Sequence, residues 1–120
     1  MQNIFYKPIN QKTINMNIDF LKTENEIVRV LKDIYDPEIP VNIYDLGLIY
    51  KIDVADSHNV TITMTLTAPN CPVADELVNE VKQQLNKIEG ISKLDLILTF
   101  DPPWDKEMMS ENAKFELGYL

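Results

Sequence analysis

The feature that most constrains the fold is a strict alternation of apolar and threonine residues over positions 60–67. Successive side chains of a β-strand point to opposite faces, so this pattern predicts a strand with one buried and one polar face. The preceding run, 48–54, alternates in the same way, and the turn-forming segment ADSHN lies between the two. Two such runs around a short polar turn predict a β-hairpin. The apolar face of the second strand consists of Val60, Ile62, Met64 and Leu66.

Two helical patterns flank the hairpin. Thr23 and Glu26 form a capping-box pattern at the start of apolar residues with helical spacing over 27–34, and we expect the first helix to begin at Thr23. The two prolines of DPEIP (36–40) end this helix in a rigid, extended turn. After the loop APNCP the helical period returns, and Gly90 is a suitable stop for the second helix. The buried stripe of that helix is expected at Val73, Leu77, Val78, Val81, Leu85 and Ile88.

A third alternating run over 93–100 predicts a third strand, and a last helix is expected to begin near Asp105 and end before Gly118. The predicted order is α-β-β-α-β-α. This order is typical of a small single-domain α+β sandwich, a three-stranded mixed sheet with helices on one face. The third strand follows a helical crossover, so it can run parallel to the second strand or lie elsewhere in the sheet.

Length, charge and cysteine content exclude several classes of protein. The 120 residues suffice for one domain, and we expect a weakly patterned N-terminal extension over 1–22 before a domain over 23–120. No apolar run approaches the ~20 residues of a membrane span, so no membrane association is expected. The net charge of −8 repels nucleic acid backbones, so no nucleic-acid binding is expected either. A single cysteine excludes an internal disulfide, and the expected compartment is the reducing cytoplasm.

The single cysteine, Cys71, lies between Asn70 and Pro72, where the second strand gives way to the second helix. Proline suits the first turn of a helix, so Cys71 is expected at or beside the N-cap. The unpaired N–H groups there favour a negative charge, and the pKa of the thiol should fall from its usual ~8.5. Because the thiolate is the form that binds metal, Cys71 is the candidate metal ligand. The alternative is a buried thiol that only packs as a small apolar group.

One cysteine cannot complete a zinc or iron–sulfur site, which usually takes four ligands. A symmetric dimer, a small thiol or a partner protein must then supply the others. A thiol enzyme would need a base, commonly histidine. The only histidine, His58, lies in the hairpin turn at the far end of the second strand, where we expect it to be solvated.

Four further residues each allow two interpretations, one functional and one structural. Asp36, Glu38 and Asp45 place three carboxylates within ten residues, which fits a hard-metal site or a general acid/base pair. Such residues more often cap turns. Trp104 follows two prolines, and it can stack on a partner or close the edge of the core.

Three segments together resemble a known family: DPEIPVNIYDLGLIY (36–50), MTLTAPNCP (64–72) and FDPPWDKEMMSENAKFELG (100–118). They are similar to the MIP18 family of small domains, formerly called DUF59, and within it to the SufT-like proteins linked to iron–sulfur cluster assembly. The resemblance implies an α/β domain and a role in maturing iron–sulfur proteins, as a carrier, an adaptor or an accessory factor. It supports no catalytic mechanism, so we expect that the protein is not an enzyme.

The resemblance also implies roles for single residues. The family's signature cysteine falls on Cys71, its acidic turn on Asp36 and Glu38, its DLG segment on 45–47, and the threonine before the cysteine loop on Thr67. On this reading Cys71 binds iron or a transient iron–sulfur cluster, shared with a second subunit of a homodimer or with a client protein. Thr67 and Asn70 would orient the sulfur. The implied partners are the iron–sulfur assembly machinery and client apoproteins.

Two other functions stay open at this point. In one, the protein is an interaction adaptor that binds no metal, Cys71 only packs, and the acidic surface or Trp104 recruits clients. In the other, it is a thiol-dependent enzyme, against which the missing base argues.

Overall fold

The computed structural model describes residues 11–69 and 74–119 of the chain. Within these ranges, the predicted order α-β-β-α-β-α is confirmed, with a short 3₁₀ helix added before the last α-helix. No helix in this part of the chain combines the length and the apolar character that crossing a membrane requires. The elements are α1 (Gln11–Leu31), β1 (Ile49–Val54), β2 (Asn59–Met64), α2 (Ala74–Asn86), β3 (Lys93–Leu98), the 3₁₀ helix (Lys106–Met108) and α3 (Glu111–Glu116).

The three strands form one mixed sheet in the order β1-β2-β3. β1 pairs antiparallel with β2, which confirms the hairpin, and β2 pairs in parallel with β3. Parallel neighbours need a crossover connection, and α2 supplies it. The sequence left two placements open for the third strand. The structure places it beside β2, which is therefore the central strand.

The alternation in β2 separates a buried face from a half-buried one. Val60, Ile62 and Met64 are fully buried, whereas Thr61 and Thr63 between them are partly accessible. Burying one large aliphatic side chain contributes about 1.5–3 kcal/mol, so this face holds the helices on the sheet. The same core contains Ile27 and Leu31 of α1, Ile34 just after it, and Leu77, Val81 and Leu85 of α2.

The predicted start of the first helix is wrong. α1 begins at Gln11, twelve positions before Thr23, and Thr23 is a buried residue inside the helix. Residues 11–22 contain neither proline nor glycine, so nothing in the backbone stops the helix from extending toward the N-terminus. The division into an extension over 1–22 and a domain over 23–120 stays a prediction, although α1 runs through its boundary without a break.

The single helix predicted from Asp105 is also wrong in part, because the segment forms two short helices. The Asp105 carboxylate accepts a hydrogen bond from the Glu107 N–H and caps the 3₁₀ helix. Met109 then adopts an extended backbone and buries its side chain. Ser110 caps α3 by accepting a hydrogen bond from the Ala113 N–H. The serine provides a second helix start that the sequence pattern did not reveal.

The turn before β1 packs tightly against the C-terminal segment. Gly47 has φ +88° and donates its N–H to the Tyr44 carbonyl. A Cβ atom at this position would clash with the backbone carbonyl of Met108. The Ser110 N–H donates to the Asp45 carbonyl over 2.8 Å and fixes the same contact from the other side. Glycine is therefore required here by both the backbone angle and the available space.

Gly47→Ala should lower the free energy of unfolding by about 2 to 4 kcal/mol, because it adds left-handed strain to the displacement of Met108. Gly118→Ala is the matched control, since Gly118 has φ +80° but an added Cβ there meets nothing within 4 Å. The control should lose only about 1 kcal/mol. Urea unfolding followed by circular dichroism measures both. Equal losses would show that the approach of Met108 contributes nothing.

Candidate functional site

The candidate site is the end of the sheet from which the chain leaves β2 toward Cys71. The structure describes the segment 65–69 and the start of α2 at Ala74. Cys71 and Asn70 lie outside the described residues, and so does the predicted place of Cys71 at or beside the N-cap of α2.

Three chain segments meet at this end of the sheet. The Thr65 N–H donates to the Leu48 carbonyl over 2.8 Å, which ties the exit of β2 to the residue before β1. On the other side, the Thr99 N–H donates to the Met64 carbonyl over 2.9 Å. The chain leading to Cys71 thus starts between the turn before β1 and the segment after β3. Thr67, two residues beyond Thr65, is half-buried.

Asp45 belongs to this end of the sheet and is already engaged in a local pair. Its backbone N–H donates to the Asn42 side-chain oxygen over 2.9 Å, and its carboxylate accepts from the Asn42 amide, also over 2.9 Å. This reciprocal pair closes the turn that leads through Gly47 into β1. The alternative of a turn-capping carboxylate therefore describes what Asp45 does in the fold.

Asp36 holds the DPEIP turn in a similar way. Its side chain is buried, and one carboxylate oxygen accepts the N–H groups of Glu38 and Ile39 over 2.8 and 2.9 Å. Glu38 contributes its backbone to this turn and is exposed. Asp36, Glu38 and Asp45 all lie in the described part, where no three His, Cys, Asp or Glu side chains are grouped closely enough for a metal ion. These three carboxylates are thus not grouped as a hard-metal site within the described ranges, and their support of Cys71 stays a prediction.

Trp104 connects the C-terminal segment to the same turn. Its indole N–H donates to the Leu46 carbonyl over 2.8 Å, and the half-buried ring packs against the core. This geometry matches the expectation that the ring closes the edge of the core. The other expectation, that Trp104 binds a partner, stays a prediction.

The sequence analysis missed a pocket of about 610 Å³ beside this turn. Two residues that line the pocket are joined by a hydrogen bond, which the Tyr50 hydroxyl donates to the Pro102 carbonyl over 2.8 Å. The available sequence signal was Tyr44 and Tyr50 on either side of DLG, and the sequence analysis singled out neither of them. The pocket is lined by Tyr44, Asp45, Gly47, Ile49, Tyr50, Pro102, Met108 and Ser110.

His58 lies at the opposite end of β2, in the hairpin turn with φ +62°. It is half-buried and not solvated as expected, and its ring centroid lies 6.1 Å from that of Phe20. It lines a larger cavity of about 930 Å³ between α1, the end of α2 and the hairpin. In the same cavity, the hydrogen bond from Arg29 holds the pKa of Glu26 below its ordinary value. His58 is thus separated from the exit of β2 by the whole strand.

Trp104→Phe should lower the free energy of unfolding by about 1 kcal/mol, because it keeps an aromatic ring but leaves the Leu46 carbonyl without its donor. Phe115→Leu is the control, since Phe115 is 72% exposed and should change stability by less than about 0.5 kcal/mol. Trp104 is the only tryptophan, so circular dichroism is the suitable probe. A Trp104→Phe variant as stable as the parent would contradict a structural role for the indole N–H.

The comparisons with known proteins agree on one family. A family profile described as "Iron-sulfur cluster assembly protein" matches residues 24–94. The chain is 55% identical over 105 residues to a protein of Porphyromonas gingivalis named "Fe-S protein maturation auxiliary factor", covering 88% of this chain and 100% of the relative. It is 40% identical over 85 residues to the "Fe-S protein maturation auxiliary factor SufT" of Staphylococcus aureus, covering 71% of this chain and 97% of the relative.

A solved structure shows the same fold. The crystal structure of a DUF59 domain from Bacillus anthracis superposes with a TM-score of 0.76 at 36% sequence identity. The alignment covers 83% of this chain and 95% of that chain. The predicted resemblance to DUF59 and SufT-like proteins and the predicted α+β fold are both confirmed.

Proposed function

The chain belongs to the family of iron–sulfur cluster assembly proteins, and from this premise we propose that it is a maturation factor that handles iron or an iron–sulfur cluster through Cys71. The observation that carries the proposal is that the family match over 24–94 includes the whole connection from β2 to α2, where the single cysteine lies. The relatives at 55% and 40% identity are named as maturation factors, which supports the same role.

The chemistry of one thiolate favours a transient cargo over a resident cofactor. Iron in biological clusters is held mainly by cysteine thiolates, commonly four for each cluster. This chain supplies one, so the remaining ligands come from a second copy, a small thiol or the client protein. A cargo held by one internal ligand leaves easily, and easy release is what delivery to a client apoprotein requires.

We propose that four other residues support the site by orienting the sulfur or by fixing the turns before β1. Thr67 precedes Cys71 on the described exit from β2, and Asn70 is its direct neighbour in sequence. We propose that both orient the sulfur through hydrogen bonds. Asp36 and Asp45 would support the site indirectly, because their hydrogen bonds fix the turns that precede β1.

An adaptor that binds no metal is the second candidate. Exposed aromatic side chains near the C-terminus favour it, since Phe115 and Tyr119 are 72% and 57% exposed. Clients or the assembly machinery would contact such residues or Trp104 directly. In both candidates the protein is not an enzyme, in agreement with the names of its relatives and with the position of His58. Action in the cytoplasm stays a prediction.

Anaerobic reconstitution with ferrous iron and sulfide tests the carrier proposal. The wild-type chain should gain visible absorbance and bound iron, and Cys71→Ser should lose nearly all of both because no other thiol remains. The double variant Cys71→Ser with Ser57→Cys is the matched control. It keeps one thiol per chain but moves it to the exposed hairpin turn at the other end of β2.

The control should bind as little iron as Cys71→Ser, because the site and not the thiol alone is proposed to hold the cargo. If wild type and Cys71→Ser bind equal iron, the carrier proposal is wrong. Co-purification with a client apoprotein that survives Cys71→Ser would then support the adaptor.

A further inference from the structure

Met108 is an accessible methionine in the pocket beside the turn before β1. The structure describes the side chains of three methionines, Met64, Met108 and Met109. Met64 is 0% exposed and Met109 is 6% exposed, so the core shields both of these side chains from solvent. Met108 is half-buried and lines the pocket of about 610 Å³, which is open to solvent. A small polar oxidant can therefore reach the sulfur of Met108 while the protein stays folded.

The sulfur of Met108 lies beside a hydroxyl group that has two acceptors within reach. The Tyr50 Oη atom lies 2.8 Å from the Pro102 carbonyl oxygen and 3.5 Å from the Met108 Sδ atom. A phenol has one hydrogen to donate, and a thioether sulfur is a weak acceptor. The hydroxyl therefore donates mainly to the carbonyl, and this bond ties the DPPW segment (101–104) to β1. A stronger acceptor on the Met108 side chain would compete for the same hydrogen.

We propose that Met108 is a site of reversible oxidation by hydrogen peroxide, and that its sulfoxide takes the Tyr50 hydrogen bond away from the Pro102 carbonyl. In this reaction a lone pair of the sulfur attacks one peroxide oxygen, so that the S–O bond forms as the O–O bond breaks. The attacked oxygen loses its proton, and the other oxygen gains one and leaves as water. The sulfur is oxidised by two electrons, and the peroxide is reduced by two.

The surroundings of Met108 allow this exchange without unfolding. The backbone of Met108 is held from two sides, because its N–H donates to the Asp105 carbonyl over 2.9 Å and its carbonyl packs against Gly47. The change is thus confined to the flexible end of the side chain, and the pocket has room for one more oxygen. Pro102 is exposed, so water can replace the hydroxyl at its carbonyl. The same oxidation at Met64 would place a polar atom in the core.

The exchange would release one of the contacts that hold the DPPW segment against the turn before β1. Trp104 follows Pro102 by two positions and donates its indole N–H to the Leu46 carbonyl. When the hydrogen bond to Pro102 is lost, this tryptophan keeps one anchor where the segment had two. Met108 would therefore couple the presence of peroxide to the packing of the C-terminal segment. This inference does not depend on the carrier function proposed above.

Peptide mass spectrometry of the folded wild-type chain after brief treatment with hydrogen peroxide tests the site. Met108 should be oxidised about tenfold faster than Met64 and Met109, because access of the oxidant to the sulfur limits the rate. Met109 is the matched internal control, since it is the next residue in the chain and is buried. Oxidation of Met108 at the same rate as Met64 and Met109 overturns the proposal.

Fluorescence of Trp104, the single tryptophan, tests the exchange of the hydrogen bond. The measurement uses the Cys71→Ser chain, because peroxide also oxidises the thiol. Peroxide should shift the emission to longer wavelength as the ring becomes more hydrated. A methionine sulfoxide reductase with a dithiol, which supplies two electrons and becomes a disulfide, should reverse the shift. Met108→Leu should abolish the response, and Met109→Leu, the matched control, should keep it.

Tyr50→Phe separates the oxidation from its consequence. This variant lacks the hydroxyl, so Met108 should still be oxidised while the Trp104 emission no longer responds. An emission shift in Tyr50→Phe as large as in the parent would overturn the exchange. A response that survives Met108→Leu would overturn the assignment of the switch to this sulfur.

Discussion

The rest of the structure depends on the burial of one face of β2. Val60, Ile62 and Met64 are fully buried on that face, and the backbone of the strand pairs on both sides. Because side chains alternate along a strand, a shift of one residue would turn this apolar set to the opposite face, so burial fixes the register of β2 against both neighbours. The position where the chain leaves β2 toward Cys71 is fixed by the same interaction.

The C-terminal segment then closes the end of the sheet from which that exit starts. Three contacts between distant parts of the chain hold it there: Trp104 to the Leu46 carbonyl, Tyr50 to the Pro102 carbonyl, and Ser110 to the Asp45 carbonyl. Gly47 permits the close approach by lacking a Cβ. The turn before β1 and the segment after β3 therefore form one support beside the exit of β2. The DLG segment (45–47) and the DPPW segment (101–104) therefore have the same structural role.

Local periodicity was sufficient to predict most of the fold, because each strand and helix has one apolar face. The hairpin, the three strands and the two main helices follow from it. The start of α1 could not be predicted, because Thr23 fits a cap as well as it fits a buried helical position. The split near Ser110 was missed because a capping serine in a helical pattern has no signal stronger than the pattern itself. The placement of β3 beside β2 depends on tertiary packing, which no local pattern contains.

The candidate site, like the fold, could be predicted from the sequence only in part. Residue type and the family resemblance predict Cys71 as the metal ligand, and this stays a prediction. The carboxylates Asp36 and Asp45 were predicted with a turn-capping role as the alternative. Their hydrogen bonds to Glu38, Ile39 and Asn42 show that turn geometry accounts for both. The pocket between Tyr44, Tyr50 and Met108 could not be predicted, because its walls come from segments more than fifty positions apart.

The parallel pairing of β2 with β3 has a consequence for the newly made protein. Cys71 lies in the crossover between these strands, and the crossover is closed only when Leu98 pairs with Met64. On the ribosome, this pairing therefore cannot form until β3 has been synthesised, when 98 of the 120 residues are in place. If the protein carries a metal cargo through Cys71 as proposed, loading in the native arrangement would follow the translation of β3.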